Sequence, residues 1–253
     1  MSHLTGKFVW FEHASNDVEK ARRFYEPLFG WQVQDMPLGD AQYPMIMNAG
    51  EGIGGFSPSQ DSAARWVSYV SVPDVDQAYK AALAAGAKSE SEPQDYGPVG
   101  RGAAIVDPTG ARISLWTSAQ DDSPDADSTP AGSWVWNELS TSDPQSALAF
   151  YTKLLGYKQE AMDMGPGGTY HVLKTEGDRG RGGVMKAMDP NMPSQWVPYV
   201  HTDDCDATLA KATQLGATIH VPATDIPGIG RFGIMEDPQG ALIATIKTLP
   251  RSA

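Results

Sequence analysis

The sequence predicts a mixed α+β fold made of four copies of one small unit, a strand and a helix followed by about three further strands. Three observations predict it. The two halves of the 253-residue chain repeat each other, each half repeats a strand–helix pattern, and glycine and proline are in surplus. The 26 glycines and 19 prolines are about 18% of the chain against roughly 12% on average, and such a surplus supplies the turns that short strands need.

The internal duplication is the strongest of these signals. Three segments of the first half recur in the second half at offsets between 126 and 130: 8–31 in 134–157, 66–87 in 196–217, and 106–116 in 236–246. The offset drifts by only four residues over about a hundred, so the loops of the two copies differ little in length. Two homologous domains are therefore expected, at 6–117 and 133–249.

The stretch between the two copies, SAQDDSPDADSTPAG (118–132), is acidic and contains no basic residue. It holds Asp121, Asp122, Asp125 and Asp127, which carry four of the twelve net negative charges. Because it also lacks apolar periodicity, we expect a solvated linker.

The sequence of each half of the chain predicts two strands that are each followed by a helix. In the first pair, FVWFEHA alternates like a half-buried strand, Asp17 is a natural N-cap, and apolar residues recur at helical spacing as far as Gly30. The second pair begins with WVSYVSV, and a helical pattern follows from Asp74 to Gly86. Runs such as YPMIMNAG and GIGGFSP indicate strands and tight turns. The pattern alone therefore favours a mixed α+β architecture with cupped antiparallel sheets.

Charge and composition exclude several classes of partner. A net charge of −12 repels phosphate backbones and anionic lipid, so neither nucleic acid nor a membrane surface is expected to bind. The chain has no run of 18 apolar residues and no apolar signal segment near its beginning. A single cysteine, Cys205, cannot form an internal disulfide. We expect a cytoplasmic protein, either a monomer whose domains mimic a dimer or a homodimer.

Four segments, DVEKARRFYEPLFGW, GIGGF, VDQAYKAALAAGA and DPTGARISLW, resemble the vicinal oxygen chelate superfamily, which includes glyoxalase I, bleomycin-resistance proteins and extradiol dioxygenases. The resemblance covers nearly all of the chain outside the linker. With W-x-E on both first strands, the chain is most similar to tandem glyoxalase-like proteins often labelled hydroxylase. The resemblance implies that each domain is two βαβββ modules whose sheets curl into a half-barrel cavity, where metal-dependent members hold their metal.

The resemblance also implies where metal ligands would lie, at four positions in each domain. In this sequence they are Trp10, Trp136, the region of Gly54–Gly55, that of Gly182–Gly183, Val67, Val197, Ser114 and Ala244. None of them offers the histidine nitrogen or carboxylate oxygen that a divalent ion prefers. We therefore expect no metal at the usual positions and predict no cofactor, with a divalent metal as the alternative.

Side-chain alternation along the first strands indicates what else could line each cavity. Trp10 and Glu12 share one face, and Trp136 and Glu138 share the equivalent face. Burial of a glutamate is costly unless it is paired, and it raises the pKa. Both glutamates are therefore candidate catalytic bases. They could instead anchor a cationic or amide ligand whose flat part stacks on tryptophan.

A purely structural alternative pairs the two glutamates with Arg101 and Arg231, which occupy equivalent positions of the repeat. His13 lies an odd number of residues from Trp10, so it is expected to lie under the helix. Further ligand-binding candidates share a face with the cavity positions: Tyr69, Tyr199, Ser114, Trp116 and His201.

Three functions fit these features. The first is a protein that binds a small organic molecule in its cupped sheets, without the usual metal. The second is a metal-dependent lyase or dioxygenase of the glyoxalase I type. The third is a metal-independent enzyme that uses Glu12 or Glu138 as a base. The absence of metal-binding side chains at the implied positions favours the first.

Overall fold

The structure is a computed structural model that describes residues 2–38, 41–126, 128–189 and 191–249. Asp127 of the predicted linker lies outside these ranges. Within them, sixteen strands and four α-helices follow one another as four βαβββ modules. The predicted α+β class, with two such modules in each half of the chain, is confirmed.

The elements of the first half make up the first two modules. The first consists of β1 (Phe8–Ser15), α1 (Val18–Phe29), β2 (Gln32–Leu38), β3 (Ala41–Asn48) and β4 (Glu51–Pro58). The second consists of β5 (Arg65–Ser71), α2 (Val75–Ala84), β6 (Lys88–Asp95), β7 (Gly100–Val106) and β8 (Arg112–Ser118).

The second half repeats this order. The third module consists of β9 (Trp134–Thr141), α3 (Pro144–Leu155), β10 (Lys158–Asp163), β11 (Thr169–Lys174) and β12 (Gly180–Lys186). The fourth consists of β13 (Gln195–His201), α4 (Cys205–Gln214), β14 (Thr218–Ile226), β15 (Gly230–Glu236) and β16 (Leu242–Thr248).

Each helix begins at an aspartate whose carboxylate accepts a backbone N–H three residues further on. The four capping residues are Asp17, Asp74, Asp143 and Asp204. α1 and α3 end at Gly30 and Gly156, both in the left-handed conformation that glycine adopts without strain. None of the described helices is long and apolar enough to cross a membrane.

The strands form two eight-stranded sheets with the same order, β2-β3-β4-β1-β5-β8-β7-β6 and β10-β11-β12-β9-β13-β16-β15-β14, and one sheet curls into a half-barrel. In every module the strand before the helix pairs in parallel with the last strand, as β1 does with β4 and β5 with β8. The other ladders within each module are antiparallel.

The chain divides into two compact units. Met1–Trp10, Val67–Asp125 and Trp136–Trp196 form one, which contains the second and third modules and is called the module 2/3 unit. Phe11–Trp66, Ala126–Val135 and Val197–Ala253 form the other, the module 1/4 unit. α2 packs against α3 in the former, and α1 against α4 in the latter. That the linear halves 6–117 and 133–249 are separate domains stays a prediction.

A buried tyrosine–aspartate hydrogen bond joins the two modules of the module 2/3 unit. Tyr151 of α3 donates its O–H to Asp107 Oδ2 at 2.8 Å and accepts the indole N–H of Trp196 at 2.9 Å. The other oxygen of Asp107 accepts the backbone N–H groups of Thr109 and Ala111 and so shapes the turn before β8. Burial, followed by the charge of Asp107, raises the pKa of Tyr151 far above its usual value.

The module 1/4 unit builds the same arrangement from Tyr25, Asp237 and Trp66, with both hydrogen bonds at 2.9 Å. It adds His13, whose Nε2 lies 2.7 Å from Asp237 Oδ2. His13 is fully buried and contacts the ring of Tyr25 on α1, as its spacing from the first-strand tryptophan predicts. Burial opposes ionisation of Asp237, but the hydrogen bond and charge of His13 leave its pKa below the usual value.

The first part of the predicted linker is held by specific contacts. Asp122 accepts the backbone N–H of Leu4 at 2.6 Å. Asp125 lies 2.6 Å from Arg181 and 3.2 Å from Lys7. Partial burial opposes ionisation of Asp125, yet the hydrogen bond and charge of Arg181, reinforced by Lys7, lower its pKa. Asp122 and Asp125 therefore make specific contacts with residues that are distant in the sequence, and the role of 118–132 as a linker stays a prediction.

We expect Tyr25→Phe and Tyr151→Phe each to lower the free energy of unfolding by about 1.5–3 kcal/mol, because each removes a donor to a buried carboxylate. Urea unfolding monitored by circular dichroism measures the change. Tyr79→Phe is the control, since Tyr79 donates only to the neutral hydroxyl of Ser89 and its loss costs about 0.5–1.5 kcal/mol. Equal effects in all three variants would contradict the prediction.

The lowered pKa of Asp237 predicts an acid-sensitive module 1/4 unit. An aspartate whose folded pKa lies below its unfolded value of about 3.9 contributes stability above that value. This stability is lost as the pH falls through the folded pKa. We expect Asp237→Asn to be destabilised at pH 7 and to lose less further stability than wild type on acidification to about pH 3. Parallel losses in urea midpoints for the two proteins would exclude Asp237 as the linked group.

Candidate functional site

Glu12 forms a hydrogen-bonded pair with Tyr43 in the first module. Tyr43 donates its O–H to Glu12 Oε2 at 3.0 Å. Glu12 lies on β1 and is the register partner of Gly55 on the parallel strand β4. Tyr43 belongs to β3, on the other side of β4. The phenol therefore crosses β4 at a glycine to reach the carboxylate.

The missing side chain of Gly55 makes this crossing possible. A Cβ at this position would lie 2.1 Å from the hydroxyl oxygen of Tyr43 and 2.3 Å from the carbon that bears it. No real side chain tolerates such distances, so any other residue would push the ring away. Gly55 is needed here for space.

The third module repeats this arrangement with Glu138, Tyr170 and Gly183, and adds an indole. Tyr170 donates its O–H to Glu138, and Trp136 Nε1 donates to the Tyr170 oxygen at 2.7 Å. Gly183 is the register partner of Glu138, and a Cβ there would lie 2.0 Å from the Tyr170 hydroxyl. Burial, followed by the charge of Glu138, raises the pKa of Tyr170 far above its usual value.

The two pairs differ in how much solvent reaches the carboxylate. Glu138 is buried, with 6% of its surface exposed, whereas Glu12 is partly exposed. Trp136 and Glu138 lie on one face of β9, as the alternation predicts, because both contact Tyr170. Trp10 lies on β1 and is also partly exposed. The pair in the first module is therefore the more accessible one.

The two arginines considered as partners of these glutamates bind elsewhere. Arg101 Nε donates to Asp76 at 2.7 Å, and a second nitrogen donates to the other oxygen of the same carboxylate. Arg231 forms the same fork with Asp206. These hydrogen bonds lower the pKa of both aspartates. The structural alternative in which the arginines neutralise the glutamates is therefore wrong.

The candidate residues of the second module lie together. Tyr69 and Ser114 are register partners on β5 and β8, and Trp116 follows Ser114 on the same face. The rings of Tyr69 and Trp116 meet edge to face with centroids 5.9 Å apart. Tyr96, which the sequence did not single out, packs on Trp116 with centroids 5.6 Å apart.

The two candidate ligand-binding residues of the fourth module, Tyr199 and His201, contact different groups of residues. Tyr199 is buried and stacks on Phe232, with ring centroids 6.3 Å apart. His201, at the end of β13, lines a shallow pocket of about 280 Å³ together with Phe29 and Lys211. Its Nδ1 atom is buried, and within the described part of the chain no group forms a hydrogen bond with it.

The side chains at the implied metal positions do not fit a divalent ion. The hydroxyl of Tyr43 occupies the space over Gly55, and that of Tyr170 occupies the space over Gly183. Each hydroxyl already forms a hydrogen bond with a glutamate. Trp136 offers only an N–H donor. Across residues 2–38, 41–126, 128–189 and 191–249, no three His, Cys, Asp or Glu side chains are grouped closely enough to hold an ion.

Sequence reasoning missed the two tyrosines that complete these pairs. Tyr43 and Tyr170 occupy equivalent positions at an offset of 127, between the offsets of the flanking repeats. The two glycine pairs that follow are also equivalent, at an offset of 128. The recurrence in both halves of a tyrosine and, further along the chain, a Gly-Gly pair is the sequence signal for this contact.

Residues 7–115 and 135–245 match the family model of the Glyoxalase/Bleomycin resistance protein/Dioxygenase superfamily. CFP32 of Mycobacterium tuberculosis, provisionally named a glyoxylase, is 35% identical over 249 residues, which cover 96% of this chain and 95% of that protein. The anthracycline biosynthesis protein DauV of a Streptomyces species is 29% identical over 267 residues, which cover 96% and 93%.

Solved structures show the same fold at low sequence identity. The Mn(II)-bound glyoxalase from Novosphingobium aromaticivorans has a TM-score of 0.66 at 15% identity, with 97% of this chain and 83% of that chain covered. The 2,2',3-trihydroxybiphenyl 1,2-dioxygenase of Sphingomonas wittichii has a TM-score of 0.65 at 13% identity, with 97% and 92% covered. The two matched repeats and the 35% identity to CFP32 show that the chain belongs to the glyoxalase/bleomycin resistance protein/dioxygenase superfamily.

Proposed function

We propose that this protein binds a small organic molecule on the sheet faces that carry the glutamate–tyrosine pairs, without a metal at the positions that the family implies. The observation that carries the proposal is the pair itself, built in both halves of the chain with a glycine beneath the phenol. Glu12 with Tyr43 is the polar anchor of the module 1/4 unit, and Glu138 with Tyr170 is that of the module 2/3 unit.

The cost of these pairs supports a role beyond packing. Glu138 is buried; moving its carboxylate out of water costs several kcal/mol, and well-packed apolar residues of similar volume often stabilise a protein as well or better. Each pair also requires a glycine in the adjoining strand, where a β-branched residue would favour the strand more. An arrangement with these costs is best explained by what the carboxylate binds.

The accessibility of Glu12 makes it the better anchor. A carboxylate held by a phenol is oriented to accept a hydrogen bond from a ligand that carries an amide or a cationic nitrogen. Trp136 donates to the phenol of the other pair, and Glu138 is buried. We therefore assign Glu138 a smaller contribution to binding.

Catalysis with Glu12 as a general base is the second candidate, because its carboxylate is oriented by a phenol and reached by solvent. A metal-dependent lyase or dioxygenase is the third candidate, because the proteins of similar fold include a Mn(II)-bound glyoxalase and a 2,2',3-trihydroxybiphenyl 1,2-dioxygenase. The indole, aliphatic and glycine residues at the metal positions do not favour it.

A ligand screen by thermal shift, followed by calorimetric titration of the hits, tests the anchor. We expect Glu12→Gln to weaken the hits by about 10- to 100-fold, the loss typical of one charge-assisted hydrogen bond. Glu138→Gln is the matched variant and should weaken them less. Unchanged affinity in Glu12→Gln would contradict the site, and hits abolished by a chelator would support the metal-dependent alternative.

The glycine beneath the phenol gives a second test. We expect Gly55→Ala to destabilise the protein by about 1–3 kcal/mol, because the new methyl group overlaps the Tyr43 ring. In a Tyr43→Val background the same change should cost clearly less, since the overlapping ring is gone. Gly167→Ala is the control, because its Cβ would meet only Met164, at an ordinary 3.5 Å. Additive losses in urea unfolding of the double variant would contradict the contact.

A further inference from the structure

The indole of Trp116 lies flat across two glycines of the neighbouring strand. Trp116 on β8 is the register partner of Gly102 on β7, and Gly100 lies two residues away on the same face. A Cβ at Gly102 would lie 2.9 Å from Trp116 Cε3, and one at Gly100 would lie 2.7 Å from Cζ2. These carbons are at opposite corners of the six-membered ring, so one face of that ring rests on glycine backbone.

Two tyrosines stand at the sides of this indole, on the sheet face opposite α2. Tyr69 meets it at an interplanar angle of 72° and Tyr96 at 50°. Tyr96 is 36% exposed, and Trp116 and Tyr69 are partly exposed. The other face of the same strands is the apolar core under α2, where Leu115 is fully buried. The second module therefore presents a flat indole between two inclined aromatic rings.

The N–H of this indole lacks the partner that other tryptophans of the chain have. Five of them donate to an oxygen: Trp31, Trp66, Trp134, Trp136 and Trp196. Within the described residues, Trp116 Nε1 donates no hydrogen bond to a protein acceptor. A bound molecule could therefore satisfy this donor with a carbonyl or similar group.

The fourth module shows that the fold does not require this arrangement. At the equivalent positions, offset by 130 residues, Phe232 replaces Gly102 and Ile246 replaces Trp116. Phe232 is the register partner of Ile246 and stacks on Tyr199. The space that Gly102 leaves open in the second module is thus filled by the side chain of Phe232 in the fourth, whereas the equivalent of Gly100 is again a glycine, Gly230. The same sheet forms in both, so packing alone does not explain the flat indole.

We infer that the second module binds a planar aromatic ring that carries a hydrogen-bond acceptor, stacked on Trp116 between Tyr69 and Tyr96. The inference rests on the proposed binding of a small organic molecule and names the class of ligand for the module 2/3 unit, which contains Trp116. Aromatic rings favour offset-stacked and edge-to-face contacts with other rings. The surrounding tyrosines supply the edges, and the indole N–H supplies the donor for the acceptor on the ligand.

Fluorine NMR of the full chain labelled with 5-fluorotryptophan tests this assignment. The seven tryptophans give one signal each, and the Trp116 signal is identified by its loss in Trp116→Ile, which copies the residue of the fourth module. On titration with indole-3-acetamide we expect the Trp116 signal to shift most. Cyclohexylacetamide has the same acceptor without a planar ring and should leave it unchanged.

Affinities of the variants complete the test. Trp116→Ile should weaken indole-3-acetamide by about tenfold or more. Gly102→Ala, which keeps the indole but lifts it off the strand, should weaken binding while retaining all seven signals. Ile246→Val is the control and should bind like wild type. If Trp116→Ile does not fold, Gly102→Ala alone decides the question.

Three results would overturn the inference: no shift of the Trp116 signal at millimolar probe, an equal response to cyclohexylacetamide, or wild-type affinity in Gly102→Ala. A shift confined to Trp10 or Trp136 would also overturn it, while leaving the proposed function in place. Loss of all hits in Glu12→Gln with an unchanged Trp116 response would mean that the two sites act independently, and would support both.

Discussion

The hydrogen bond between a helix tyrosine and a turn aspartate is the constraint on which each compact unit depends. Asp107 and Asp237 each use one oxygen to shape the turn before the last strand of a module and the other to accept a tyrosine from the partner module. A buried carboxylate is tolerated only when its hydrogen bonds are satisfied. The turn and the helix are therefore fixed together, which sets the direction of the strands that follow.

Fixing the helices on one side of the strands determines what the other side can do. Apolar residues such as Leu115 and Leu139 face the helices and are fully buried. Their neighbours one residue along face away from the helices, so polar and aromatic groups there do not disturb the core. Glu138 and Trp116 are two of these neighbours. The repeat thus keeps a single core design while each module carries its own chemistry on the opposite face.

Local and periodic features were predictable from the sequence, and contacts between strands were not. The helix caps at Asp17 and Asp143 depend on residues three positions apart, and the burial of His13 depends on alternation along one strand. The partner of Glu12 lies across an intervening strand, and spacing along one strand does not reveal which strand lies beside it. The same limit explains the wrong partners expected for Arg101.

The overlap between Tyr43 and any side chain at position 55 sets an order on how such a pair can arise in evolution. A lineage that gains the tyrosine before the glycine passes through a protein in which the Cβ at position 55 overlaps the tyrosine hydroxyl. A lineage that gains the glycine first passes only through a slightly weakened strand. The glycine is therefore expected to be the older of the two residues in both halves, and a descendant that loses the tyrosine can then accept a side chain at that position.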